Sequence, residues 1–308
     1  MTSTAPDVAV AIHNVLIATD FSECSQRALL HAVAAAHHFG STLHVAHIVQ
    51  PAMLSFVPPE AYMGTSEAIT RAIEISRTES EHLLADVLRR THCQDLKHRT
   101  WVEAGTAADL LRVLIASENI DLVVVGTHGR TGLRKIVLGS VAEEVFRHAT
   151  CPVLTVGPHS WQSDPQTVRL KHVLFPTDFS RDSARALPYA LTLAADFGAK
   201  LTVMHVVERL GSEGARDRAR VCGGLEEKMR AMVSALVPMP PYVEFEVEFG
   251  DVAETLIQAA SRLKTDLIAF GLKPPESYAD RLPWMHAYQV VCEVGCPVLS
   301  LRGASSSR

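Results

Sequence analysis

NVLIATDFSECSQRALLHAVAAAHHFGSTLHVAHIV, residues 14–49, aligns without a gap on HVLFPTDFSRDSARALPYALTLAADFGAKLTVMHVV, residues 172–207, at an offset of 158 (172 − 14). The two stretches share TDFS, SxRAL, a Phe-Gly pair and the histidines His47 and His205. A second gapless block sets residues 102–156 on 247–301 at an offset of 145 (247 − 102). It matches Gly105 with Gly250, Asp121-Leu122 with Asp266-Leu267, Gly126 with Gly271, and Cys-Pro-Val-Leu at 151–154 with the same four residues at 296–299. A unit of about 150 residues is too long for a solenoid repeat and the right size for a domain that folds by itself. The 308 residues therefore read as two similar domains in tandem, 1–157 and 172–308, with a linker at 158–171 around Asp164-Pro165.

Within each half the apolar pattern alternates between two kinds. Short runs rich in Val, Ile and Leu, at 15–18, 43–49, 122–125 and 153–156, read as strands buried on both faces. Residues 25–39 are Ala/Leu-rich and stop at Gly40, a helix with its C-cap. Thr106 with Asp109, and Asp251 with Glu254 in the second half, resemble capping boxes, the first opening a helix over 107–117. Residues 67–90 read as a long amphipathic helix. Five strands alternating with four helices per half predict an α/β fold, a parallel sheet with right-handed crossovers and helices on both faces.

Composition narrows the function. Hydrophobic residues make up 47% and charged residues 20%, enough to fill ordinary cores. No stretch approaches the roughly 18 consecutive apolar residues of a membrane span, and the first residues lack the basic start of a signal peptide, so no membrane role and a cytoplasmic location are expected. Cys24, Cys93, Cys151, Cys222, Cys292 and Cys296 form no CxxC pair, which argues for reduced thiols rather than a disulfide framework or zinc module. Cys292 and Cys296, read as i and i+4 of one helix, are either a redox pair or two small core thiols, the latter favoured in a reducing compartment. A net charge of −5 lacks the general attraction nucleic-acid binders use.

In a doubly wound parallel sheet, ligands bind beyond the carboxyl ends of the strands, where the strand order reverses. The loop after the fourth strand, Gly126-Thr-His-Gly129-Arg130-Thr-Gly132-Leu-Arg134-Lys135-Ile-Val-Leu-Gly139-Ser140, is the informative one there. Its glycines bring backbone N–H groups close to an anion, and Gly139-Ser140 fall where the next helix begins, with its positive end. Arg130, Arg134 and Lys135 add charge. An isolated GxxG is more often a simple turn; the whole pattern at a strand-to-helix junction points to phosphate. Neither a Walker loop nor a GxGxxG fingerprint is present, so this is a different phosphate pocket.

The spacing G-2x-G-9x-G-[ST], carried by Gly126, Gly129, Gly139 and Ser140, together with TDFS after the first strand and CPVLTV as the last, resembles the ATP-binding branch of the universal stress protein family. The resemblance implies two tandem Rossmann-like domains, each a five-stranded parallel sheet with helices on both faces. It also implies adenine-nucleotide binding and association through the last strand. Residue by residue, it sets Asp20 on the adenosine moiety, Ile48 against adenine, and Gly129, Arg130, Gly139 and Ser140 on the phosphates, with Gly126 shaping the loop. Ala18 stands where that branch usually has proline, which would alter the packing of the adenine slightly. Magnesium would accompany the triphosphate, held by Asp20 or by phosphate oxygens.

The second half departs from the pattern. At the positions of Gly129, Gly132, Gly139 and Ser140 it has Pro274, Ser277, Trp284 and Met285. Proline has no N–H to offer and tryptophan occupies the space of a phosphate chain. This half reads as degenerate, a built-in pseudo-dimer partner with 152–156 beside 297–301; a homodimer is a further option. Other features have plainer readings. His44 and His47, three apart on a strand, face opposite ways, and adjacent His37 and His38 cannot share one helical face, so helix-end and core roles are favoured over a metal site. Residues 50–66 form either a lid over the pocket or a loop packed on its neighbour helix. The expected function is an ATP-binding stress-response switch that shows a regulatory protein partner a different surface when loaded. The alternatives are a slow ATPase or a ligand-free scaffold. The pocket holds no evident nucleophile or acid–base pair, which weighs against efficient catalysis.

Overall fold

The computed structural model describes residues 10–49, 66–91, 93–127, 138–158, 160, 169–208, 215–272 and 281–302. In the first half the elements run β1 (Asn14–Ala18), α1 (Glu23–Phe39), β2 (Thr42–Val49), α2 (Ser66–Arg90), β3 (His98–Ala104), α3 (Ala107–Ser117), β4 (Leu122–Gly126), α4 (Ser140–His148) and β5 (Val153–Val156). The second half follows the same course: β6 (His172–Pro176), α5 (Arg181–Phe197), β7 (Lys200–Val207), α6 (Ala215–Ser234), β8 (Val243–Phe249), α7 (Val252–Leu263), β9 (Leu267–Leu272), α8 (Arg281–Glu293) and β10 (Val298–Arg302). The predicted segments 15–18, 25–39, 43–49, 67–90, 107–117, 122–125 and 153–156 all lie inside elements of the expected type. The repeated His98–Ala104 and Val243–Phe249 strands, polar on one side, sit at the sheet's outer edges.

All ten strands join one sheet, in the order β3-β2-β1-β4-β5-β10-β9-β6-β7-β8. Every neighbouring pair is parallel except β5 and β10, which run antiparallel with Val298 opposite Thr155 and Ser300 opposite Val153. Segments 152–156 and 297–301 thus meet as expected. By the same register Cys151 and Cys296 lie at opposite ends of the seam. Two apolar layers cover the sheet. Residues of α1, α2, α5 and α6, such as Leu29, Leu84, Leu187 and Met229, fill one layer. Those of α3, α4, α7 and α8, such as Leu111, Phe146, Leu256 and Val290, fill the other.

Local chemistry fixes the joints. Gly40 and Gly198 end α1 and α5 in the left-handed region, with φ of 66° and 62°. Asp121 accepts the N–H groups of His13 and Asn14 at 2.7 and 2.9 Å, and Asp266 does the same for Lys171 and His172 at 2.7 and 3.0 Å. The repeated Asp-Leu pair is therefore a staple at the start of the central strand of each half. Two details correct the sequence reading. Thr106 makes no side-chain cap hydrogen bond, whereas Asp251 accepts from the Glu254 N–H at 3.0 Å. Cys296 lies beyond the end of α8 at Glu293, so it shares no helix with Cys292. All six cysteines are free, and burial pushes the thiols of Cys292 and Cys296 up to about 11 and about 12, away from reactive thiolate. Among the described residues no helix is long and apolar enough to cross a membrane.

Of the buried imidazoles, those of His44 and His172 lie against the sheet with lowered basicity. His172 bridges Thr265 Oγ1 at 3.2 Å and Thr202 Oγ1 at 2.9 Å, and His44 lies 3.3 Å from Asn14 Oδ1. Burial lowers the pKa of both below the ordinary 6.5. Between the lowered value and 6.5 the unfolded chain holds more protons than the folded one, so stability rises with pH through that window and is lost as pH falls below 6.5. Urea unfolding followed from pH 7 down to pH 5 should show this loss, and His172→Gln should flatten the slope. Identical slopes for the two proteins would exclude the assignment to His172.

Candidate functional site

The strand order turns back between β1 and β4, and the ends of these strands open the crevice where such sheets take ligands. The turn leaving β1 is built by Thr-Asp-Phe-Ser itself. Thr19 Oγ1 accepts the Phe21 N–H at 3.1 Å, and Asp20 Oδ1 accepts the Ser22 N–H at 3.0 Å. Phe21 adopts the left-handed conformation, φ 64°, and its ring lies 4.4 Å from that of His47, whose Nδ1 is 2.8 Å from the Thr19 carbonyl oxygen. Ser22 then caps α1 by accepting the Ser25 N–H at 3.2 Å. Every one of these features recurs in the second half. Asp178 bonds the Ser180 N–H at 2.9 Å, Phe179 has φ 61°, and His205 lies 2.7 Å from the Thr177 carbonyl. A motif kept intact in a half whose sequence departs from the glycine pattern after its fourth strand is first a turn-builder. Asp20 therefore has a structural duty whatever else it touches.

Gly126 ends β4 directly against α1. A Cβ there would lie 2.9 Å from the Cys24 carbonyl carbon and 3.0 Å from the Ser25 nitrogen. At Gly271 the α5 backbone is closer still, with the Asp182 oxygen 1.9 Å from such a Cβ. Both are backbone atoms that cannot step aside. The glycine at this position thus admits the first turn of a helix onto the sheet, in both halves alike.

Beyond Gly126 the chain returns at Leu138. The Gly139 N–H donates to the Thr127 carbonyl at 2.7 Å, pinning the start of α4 to the end of β4. Gly139 is the N-cap of α4 and supplies no side-chain acceptor, whereas Ser22, Ser180 and Asp251 each accept a first-turn N–H of α1, α5 and α7. The N–H groups of Ser140, Val141 and Ala142 have no partner within their helix, and the positive end of its dipole lies with them. Ala18, Ile48 and Val141 are half-buried on this same side of the sheet. Beside Ile48 opens a cavity of about 220 Å³, walled further by Ala46, Trp101, Glu103, Leu110 and Leu114. Ser117 also lines it; its counterpart in the second half is Arg262, which bonds Glu246 and Glu248 at 2.8 and 2.9 Å, the counterparts of Trp101 and Glu103.

Ala18, Asp20, Ile48 and Gly126 thus lie at or just beyond the carboxyl ends of β1, β2 and β4, and Gly139 and Ser140 at the start of α4. Gly129, Arg130, Gly132, Arg134 and Lys135 lie outside the described residues, as do Pro274 and Ser277 and nearly all of the 50–66 segment. In the second half α8 begins at Arg281, so Trp284 and Met285 lie inside a helix where Gly139 and Ser140 stand at a helix start. Thr127, Phe21 and His47 carry the local geometry, and of these the sequence marks only His47, as a repeated histidine with a core role. The signal available for Phe21 was its pairing with Phe179 in the repeat. Among the described residues no three His, Cys, Asp or Glu side chains gather to hold a metal ion.

A model of the universal stress protein family matches residues 11–157 and again 169–302. The chain belongs to the universal stress protein family. It is 33% identical over 142 residues to a universal stress protein of Methanocaldococcus jannaschii, which spans 46% of this chain and 80% of that one. It is 30% identical over 200 residues to a universal stress protein of Mycolicibacterium smegmatis, 63% of this chain and 64% of the relative. A universal stress protein structure from Archaeoglobus fulgidus superposes with a TM-score of 0.67 over 94% of this chain and 98% of its own, and its 20% identity makes this a likeness of fold. The chain is thus a tandem universal stress protein. In both of its halves the glycine that ends the fourth strand is set by helix packing. Gly126→Ala should cost about 1–3 kcal/mol of stability, as overpacked sites do. Thermal unfolding of the variant at the wild-type midpoint would contradict the close approach.

Proposed function

We propose that the first half binds one adenine nucleotide, ATP, and that its occupancy makes this universal stress protein a cytoplasmic switch read by a regulatory protein partner. The observation that carries the reading is the start of α4 on Gly139, an N-cap without a side-chain acceptor, at the sheet's switch point. The N–H groups of Ser140, Val141 and Ala142 would hold phosphate oxygens, with Ser140 exposed to offer its hydroxyl as well. Gly129 and Arg130 would complete the cradle. Ala18 and Ile48 supply apolar surface for the base, and the cavity beside Ile48 extends that surface. Asp20 stands at the turn where an adenosine hydroxyl would arrive. Magnesium, if it accompanies the triphosphate, would take most of its ligands from phosphate oxygens and water. The second half offers no equivalent, because Trp284 lies within α8.

Titration calorimetry with ATP should give one site per chain, and Gly139→Trp should abolish it. Two equivalent sites, or unchanged affinity in that variant, would overturn the reading.

Binding without rapid turnover follows from the same groups. Backbone donors that hold the ground state and the transition state equally do not accelerate a reaction. Asp20, the acid at the β1 turn, already accepts the Ser22 N–H. Hydrolysis by the purified chain should stay far below the roughly 1–100 s⁻¹ of kinases. Several turnovers per second, lost in Asp20→Asn, would make the protein an ATPase instead of a switch.

A further inference from the structure

Away from the strand seam, a hydrogen bond joins the half whose sequence departs from the phosphate-loop pattern to the half that keeps it. The Leu138 N–H donates to the Tyr288 hydroxyl oxygen at 2.9 Å. Leu138 is 2% exposed and immediately precedes Gly139, the N-cap of α4, while Tyr288 projects from the middle of α8. Cys292, one turn further along α8, faces the same Leu138 peptide. The next peptide is held from the opposite side, since the Gly139 N–H donates to Thr127 of its own half. The approach to α4 is therefore gripped at two consecutive N–H groups, one by each half.

The grip runs in one direction only. At the offset of 145 the counterpart of Tyr288 is Glu143 and that of Leu138 is Pro283. Proline has no N–H, so the mirror-image bond cannot form. Glu143 instead pairs with Arg147 of its own helix at 2.7 Å. The asymmetry matches the asymmetry of the loops: the intact half receives the clamp and the degenerate half provides it.

We propose that Tyr288 is a positioning residue for the first half's nucleotide site, through which the second half sets how tightly nucleotide is held. The inference rests on the reading of that site given above. Using up the Leu138 and Gly139 N–H groups in protein hydrogen bonds fixes the direction in which the next three, of Ser140, Val141 and Ala142, point. Without the Tyr288 hydroxyl, the buried Leu138 N–H is left with only the weak acceptor of the Cys292 sulfur, and the peptide is held less firmly. By linkage, nucleotide bound at α4 must in turn steady α8 by the same factor, which makes α8 a route from the site to the second half's surface.

The test is Tyr288→Phe in the full chain, which keeps the ring and removes the acceptor, titrated with a non-hydrolysable ATP analogue. Affinity should fall roughly three- to ten-fold. Exchange of the Leu138 amide hydrogen should quicken in the free protein, and binding to the unaltered chain should slow exchange within α8. Equal affinity in the two proteins would overturn the positioning role while leaving the site itself intact. Failure of the unaltered chain to bind the analogue would overturn the site and this inference together. A variant whose affinity falls without faster Leu138 exchange would show that the effect comes from elsewhere, and would also count against the inference.

Discussion

Three residue pairs, Val298 with Thr155, Leu299 with Leu154 and Ser300 with Val153, turn two five-stranded halves into one sheet. All four residues of β5 are buried, and an apolar strand of this kind left at an edge would carry unpaired N–H and C=O groups beside exposed Val and Leu. Each buried Val or Leu side chain contributes about 1.5–3 kcal/mol. The ion pairs of the chain lie largely at the surface, where each contributes about 0–1 kcal/mol. His38 Nε2 lies 3.7 Å from Asp196 Oδ2 across the halves. The seam is held by strand pairing and burial, and the polar contacts around it are secondary.

The antiparallel seam places like elements side by side across a pseudo-two-fold axis. On one face α1 meets α5, where the His38 ring stacks on Phe197 at 4.1 Å. Pro152 and Pro297, Leu154 and Leu299, and Phe39 and Phe197 line a small apolar cavity of about 80 Å³ in matched pairs. On the other face α4 and α8 come together, and there the symmetry breaks at the Tyr288 hydrogen bond. A dimer of identical domains would have two such contacts or none. A tandem chain allows its halves to diverge, so that one supplies the N–H and the other the hydroxyl.

The comparison of halves separates scaffold from site. Thr-Asp-Phe-Ser, the helix-admitting glycine and the Asp-Leu staple persist in both halves because they shape the β1 and β6 turns, the packing of α1 and α5, and the starts of the central strands. The differences that bear on the site lie at the ends of β4 and β9, in the helices that follow, and where Ser117 of α3 corresponds to Arg262 of α7 in the repeat. A helix start on a glycine N-cap in one half becomes the interior of a longer helix in the other. An arginine bonds two strand carboxylates in the second half where the first has a serine beside an open cavity.

Periodicity and repetition in the sequence were enough to determine the element order, the parallel halves and the meeting of 152–156 with 297–301. These follow from local rules: buried strands read as apolar runs, helices as 3.6-residue patterns, and a repeat reports its own boundaries. The reasons behind the conserved-looking pairs lay deeper. Gly126 resembles a loop glycine in one dimension, and only the approach of the Cys24 and Ser25 backbone reveals it as a packing glycine. Cys292 and Cys296 fit a helical spacing, yet α8 stops at Glu293 because the chain must turn into β10. Tyr288 and Leu138 are 150 residues apart, and no local pattern links a hydroxyl on α8 to one backbone N–H beside α4. Such a bond exists only because the seam lays the two halves together, so the tertiary structure alone decided it.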